Sequence, residues 1–125
     1  MSWEGLVAIE ALDYGLDPGL VGGLDQIPAD IITTYTTNEA MYRLESQTIQ
    51  DAAQAAAEGA TNPYWIARNV HDFVAERLEC VNDHQWDDAE TVYLQGHGSC
   101  SEYTFLFVAL CRANGLPARY VGATR

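Results

Sequence analysis

The residues best placed to do chemistry are Ser99-Cys100-Ser101-Glu102, which follow Gly96-His97-Gly98 and precede the apolar run Tyr103–Cys111. Ser99 and Glu102 have the S-x-x-E spacing of a capping box, so a helix is expected to begin there with Cys100 in its first turn. Unpaired backbone N–H groups and the helix macrodipole favour an anion at that position. A thiolate is such an anion, and it is the nucleophilic form of cysteine. Glu102 opposes this slightly if it is ionised nearby. The two glycines allow a substrate carbonyl to approach the backbone closely.

Nucleophilic catalysis also needs a base hydrogen-bonded to the thiol and a third group that orients the base. Three histidines are available. His97 is only three residues before Cys100 and would have to fold back over the helix start. His71 falls within a helical pattern and His84 within a polar turn, where packing or surface roles suit them better. An oxyanion site would combine the Cys100 backbone N–H with a second donor, for which Trp86 and Gln85 are the nearest upstream candidates. Cys80 with His84, and His97 with Cys100, have separations a zinc site tolerates. Neither pair has the tight C-x-x-C form, and the capping box explains Cys100 better, so no metal and no cofactor are expected. Cys111 sits in an apolar stretch and reads as core. Arg119 has two open readings, a brace for Asp72 or Glu102 and a solvated side chain. Tyr103, Phe105 and Phe107 read as core filling.

The elements that position these residues follow from local pattern. Residues 1–30 are punctuated by glycine and proline. The β-branched run Ile31–Thr37 predicts extended chain or a short strand. Ile49, Ala52, Ala53, Ala56 and Ala57 recur at helical spacing, predicting a helix over 46–58 that Gly59 ends. Asn62 caps a second helix, Pro63 suits its first position, and Ile66, Val70, Phe73, Val74 and Leu78 form its buried face. Asp87 with Glu90 predicts a short helix through Leu94. The helix beginning at Ser99 is apolar almost all round, as a buried helix must be, and Asn114-Gly115 with Pro117 stops it. Residues 118–122 then read as a strand.

Composition limits the partners. Eighteen acidic residues face six basic ones, all arginine, for a formal charge of −12 over 125 residues. Such a field repels phosphates, which argues against nucleic acid and anionic membranes. It suits either a salty surrounding or cationic substrates. Three cysteines without disulfide spacing favour a reducing, cytoplasmic setting. The apolar stretch from Gly5 to Ala11 contains Glu10 and has no basic leader, so neither a signal peptide nor membrane insertion is expected.

Taken together, Gly96–Tyr103, Leu106–Arg112 and Gly115–Val121 resemble the core of the transglutaminase-like superfamily. The resemblance extends upstream through Asn62-Pro63, Ile66-Ala67, Asp72–Val74 and Trp86–Val92. It implies an α+β, papain-like, cysteine proteinase-like fold, truncated here, mainly helical with a partial antiparallel sheet. Residues 1–45 are then an N-terminal extension or the tail of a preceding module, and 46–125 a partial core ending after its first core strand. Cys100 falls on the family's nucleophile. The histidine and the aspartate are implied on two strands beyond Val121, so the full-length protein reads as a cysteine-dependent peptidase or transglutaminase and the 125 residues as inactive alone. The implied substrate is a peptide or protein with an amide or glutaminyl group, attacked through a Cys acyl-enzyme. The competing reading is a non-enzymatic protein-interaction module on the same scaffold. The edge of the 118–122 strand predicts pairing with the N-terminal segment or a homodimer through that edge.

Overall fold

The computed structural model describes residues 4–6, 8 and 10–122. Val7 and Ile9 of the early apolar stretch lie outside the described residues. Among the described residues there are two 3-10 turns, Pro18–Leu20 and Leu24–Gln26, and then α1 (Ala29–Tyr35), α2 (Gln47–Ala57), α3 (Pro63–Arg77), β1 (Glu79–Cys80), α4 (Ala89–Gln95), β2 (His97–Gly98) and α5 (Cys100–Ala113). No described helix is long and apolar enough to cross a membrane.

Helix α5 is the axis of the molecule, with α2, α3 and α4 packed against it. Its Leu106, Ala109 and Leu110 are fully buried with Ile49 of α2, Val70 of α3 and Val92 of α4. A helix apolar on nearly every side is stable only when neighbours cover it on several faces, and three do. Alanines 52, 53 and 56 of α2 are buried in the same core. Their small side chains suit close approach of that helix.

Local signals decide where most helices begin. Asn62 accepts the Tyr64 N–H at 2.9 Å and caps α3, with Pro63 in its first turn. The Asn62 amide also donates to the Pro18 carbonyl at 2.8 Å, fastening the N-terminal segment to the helical body. At α4 the cap is Asp88, whose side chain accepts from Thr91 N–H, one residue later than the expected Asp87. Helix α2 ends at Glu58 in the left-handed conformation, followed by Gly59 with φ +78°.

Three expectations are corrected. The run Ile31–Thr37 is mostly helix, α1, rather than extended chain. Thr36 N–H and its hydroxyl both turn back to the Ile32 carbonyl, closing the helix locally, and among the described residues no strand lies alongside to reward the β-branched residues. Residues 118–122 form no ladder. One backbone–backbone bond, Ala118 N–H to Tyr35 O at 3.1 Å, joins this segment to the C-terminal end of α1, so the N-terminal segment supplies one ladder-type bond and no strand edge. The sheet is a two-residue parallel pairing of β1 with β2, not antiparallel. Its strands are separated by α4, and a connection that crosses over through a helix returns the chain in the same direction. Glu79 N–H bonds Gly96 O at 2.9 Å and Val81 N–H bonds Gly98 O at 3.0 Å, holding the glycine turn in register before α5.

Candidate active site

Cys100 is the first residue of α5 and its side chain is exposed. It opens into a depression of about 310 Å³ lined also by Ser101, Thr104, Tyr120, Val121 and Gly122. The helix start is locked by Glu102, which is completely buried. One carboxylate oxygen accepts the Ser99 N–H at 3.0 Å, the carboxylate half of the capping box. The other accepts the Asp87 N–H at 3.3 Å, reaching across to the loop before α4. Glu102 is therefore a clamp between two chain segments as well as a cap. Gly98 makes the clamp possible, since a Cβ there would lie 2.9 Å from Glu102 Cβ.

On the opposite side of the depression the Tyr120 hydroxyl lies 3.2 Å from that of Ser101. The Tyr120 ring sits 5.4 Å from Phe105 and 6.4 Å from Trp86, and Trp86 meets Phe105 edge-on at 5.5 Å. Trp86 is thus connected to the Cys100 depression through Tyr120, with its own ring largely exposed. The Gln85 N–H donates to Asp83 Oδ1 at 3.0 Å, closing an exposed turn.

The segment carrying Tyr120 is held by Arg112, which pattern reading left as an ordinary motif residue. Arg112 is buried and donates to the carbonyls of Ala118 and Thr37, each at 2.8 Å. Its guanidinium lies 4.6 Å from the centre of the Tyr42 ring and 3.6 Å from Glu39 Oε2. Burial raises the Tyr42 hydroxyl above its ordinary pKa, with Arg112 pulling the other way. The sequence signal was an arginine at the end of an otherwise apolar helix, where the last carbonyls and the dipole favour a cation. Its partners come from two segments far apart in sequence, so they are visible only in the fold.

The histidines are dispersed. His71 Nδ1 lies 3.0 Å from Asp72 Oδ1, and that bond, with Arg68 adding, lowers the Asp72 carboxyl below its ordinary pKa. His84 takes a left-handed backbone conformation in the exposed loop. His97 lies in β2 with Nδ1 buried and unpartnered among the described residues. Arg119 is exposed, 5.7 Å from the Tyr35 ring, and bridges neither Asp72 nor Glu102 among the described residues. Cys111 is core, and burial pushes its thiol up to about 12. Among the described residues no group of three or more histidine, cysteine or acidic side chains is arranged to hold a metal ion.

The stretch that contains this thiol and its glycine turn falls within the match of a family model. The model of the transglutaminase-like superfamily covers residues 50–125. The chain belongs to the transglutaminase-like superfamily. No curated protein matches. A 1.9 Å crystal structure of a candidate cysteine protease from Cytophaga hutchinsonii superposes with a TM-score of 0.65 at 19% identity, over 78% of this chain and 33% of that one. At that identity the likeness establishes the fold, a transglutaminase-like, cysteine proteinase-like α+β arrangement that is mainly helical in these residues. This chain spans about a third of that protein's length.

Proposed function

We propose that this transglutaminase-like chain carries the nucleophile of a thiol enzyme acting on amides of peptides or proteins. Cys100 Sγ bonds to the carbonyl carbon, the C–N bond breaks, and the amine leaves with a proton. Water or a second amine then attacks the thioester and regenerates the thiol. The observation that carries the reading is the exposed Cys100 at the first turn of a buried 14-residue helix whose end is clamped by Glu102. The backbone N–H groups of that turn supply fixed positive dipoles where the thiolate and the developing oxyanion would sit. The Cys100 N–H is one proposed oxyanion donor, and the loop bearing Gln85 and Trp86 is the proposed source of the second. Among the described residues no histidine is hydrogen-bonded to Cys100, so these residues by themselves are proposed to turn over no amide.

The chain holds its own control. Cys80 is also exposed but sits on a short strand rather than a helix start. Iodoacetamide at neutral pH, followed by peptide mass mapping, is expected to alkylate Cys100 about tenfold faster than Cys80. Equal rates, or Cys80 reacting faster, would remove the activation argument. Amide turnover by this chain, abolished by Cys100→Ser, would contradict the proposed silence while supporting the nucleophile.

A further inference from the structure

Tyr120 walls the Cys100 depression, and Trp86 packs against its ring at 6.4 Å. Both lie within three residues of a bond to the same segment, 35–46, which precedes the family core at residue 50. On the Tyr120 side, Ala118 N–H donates to Tyr35 O at 3.1 Å, and Arg112 donates to the carbonyls of Ala118 and Thr37. On the Trp86 side, Ala89 N–H donates to Met41 O at 2.8 Å, and the Ser46 hydroxyl donates to Glu90 at 2.7 Å. Arg43 reaches Asp88 at 3.4 Å and Glu90 at 3.3 Å. Bonds at the two ends of one segment fix the separation of the groups they hold, provided the segment itself is stiff.

The segment is stiff. Asn38 accepts the Leu44 N–H at 2.9 Å and donates to Glu45 at 2.7 Å, while Gln50 of α2 donates to the Leu44 carbonyl at 2.8 Å. Tyr42 is buried beneath the Arg112 guanidinium. Arg43 has φ +54°, a left-handed conformation that a residue other than glycine keeps only where its surroundings over-determine it. Here three carboxylates, Glu45, Asp88 and Glu90, hold its side chain. From Asp88 the hold passes to the nucleophile's own turn. The neighbouring Asp87 N–H lies on Glu102, whose other oxygen receives the Ser99 N–H beside Cys100.

Resting on the reading of Cys100 as the nucleophile, we propose that segment 35–46 is a positioning strap of the site and that Arg43 is its principal positioning residue. The strap sets the gap between the Tyr120 segment and the Trp86 loop, and with it the width of the depression through which an acyl group reaches Cys100. Arg43 acts through Asp88 and Glu90 and not on the reacting atoms.

The test uses the full chain, with Arg43→Asp to turn attraction into repulsion and Arg43→Lys as the conservative rescue. Aspartate tolerates a left-handed backbone, so the substitution acts through charge. Hydrogen exchange read by mass spectrometry is expected to speed up roughly tenfold in residues 118–120 of Arg43→Asp, although these share no hydrogen bond or ion pair with Arg43 among the described residues, while α3 keeps its exchange rates. Coupling is reciprocal, so Glu39→Lys, an exposed change beside Arg112, is expected to speed exchange at 86–89 as well as at 118–120. The second readout is the ratio of alkylation rates with N-benzyl-2-iodoacetamide and with iodoacetamide. A benzyl ring meeting Tyr120 is expected to raise this ratio at Cys100 about threefold above that at Cys80. Arg43→Asp should bring the two ratios together, and Arg43→Lys should restore the difference, which a general loss of stability does not produce. Alkylation of the buried Cys111 reports unfolding, and where Arg43→Asp exposes it, Glu39→Lys decides in the same two assays.

Exchange at 118–120 unchanged in a folded Arg43→Asp chain, or a Cys100 ratio unmoved by it, overturns the strap; so does exchange at 86–89 unchanged in Glu39→Lys. The rate with iodoacetamide alone reports the nucleophile separately. A Cys100 no faster than Cys80 whose ratio still follows Arg43 leaves the strap standing and removes the thiol-enzyme reading, whereas a fast Cys100 with an unmoved ratio does the reverse.

Discussion

Replacing Glu102 by alanine tests whether the clamp at the start of α5 holds the site together. The carboxylate is fully buried and receives two backbone N–H groups, from Ser99 at 3.0 Å and Asp87 at 3.3 Å. Truncation leaves both donors in a space that water enters poorly, and each buried unsatisfied group costs about 1–3 kcal/mol. The sum is about 2–6 kcal/mol, a large share of the 5–15 kcal/mol (roughly) that a domain has in total. Glutamine keeps one acceptor oxygen but turns its amide nitrogen toward the second donor, so Glu102→Gln is expected to cost about half as much. Urea denaturation followed by circular dichroism reads this directly. With a slope of about 2 kcal/mol per molar urea, a loss of about 4 kcal/mol moves the midpoint down by about 2 M. A Glu102→Ala midpoint within about 0.3 M of the unsubstituted chain would refute the reasoning, since the two donors would then be satisfied without the carboxylate.

Gly98→Ala is expected to destabilise by about 1–3 kcal/mol in the same urea assay, because its Cβ would meet Glu102 Cβ at 2.9 Å and Val92 Cγ1 at 3.4 Å. A change near zero would show that the clamp has room to move. Arg112→Met removes donors to the Ala118 and Thr37 carbonyls and is expected to cost about 2–5 kcal/mol. It should also raise hydrogen exchange in residues 35–37 and 118–120, and unchanged exchange there would contradict the tethering role. The Cys111 thiol is raised from 9.0 to about 12 by burial, so the unfolded chain releases its proton first as pH rises. The neutral buried thiol therefore contributes stability fully below about pH 9, and that contribution is lost progressively between about pH 9 and 12. Across that window the chain should lose about 1.4 kcal/mol per pH unit relative to Cys111→Ala, and parallel pH curves for the two proteins would count against it.

What could be read from the residue order was whatever depends on near neighbours. Helices α2, α3 and α5 announce themselves through apolar spacing, through Asn62 and Pro63 at one start, and through Ser99 and Glu102 at another, because each signal spans a turn or two of backbone. The position of Cys100 follows from the capping box alone. Three features required the folded chain. The Ile31–Thr37 run is mostly helical although its residues favour strands, since strand preference is a preference for a partner and none lies beside it among the described residues. Residues 118–122 stay unpaired in any ladder because their one backbone–backbone bond, from Ala118 N–H, reaches a single carbonyl at the end of α1. The second roles of Glu102 and Arg112, clamping the Asp87 loop and tying Thr37 to Ala118, join segments 15 and 75 residues apart in sequence from the clamping side chain. Buried charge must find partners wherever the packing brings them, and only tertiary contact decides which they are.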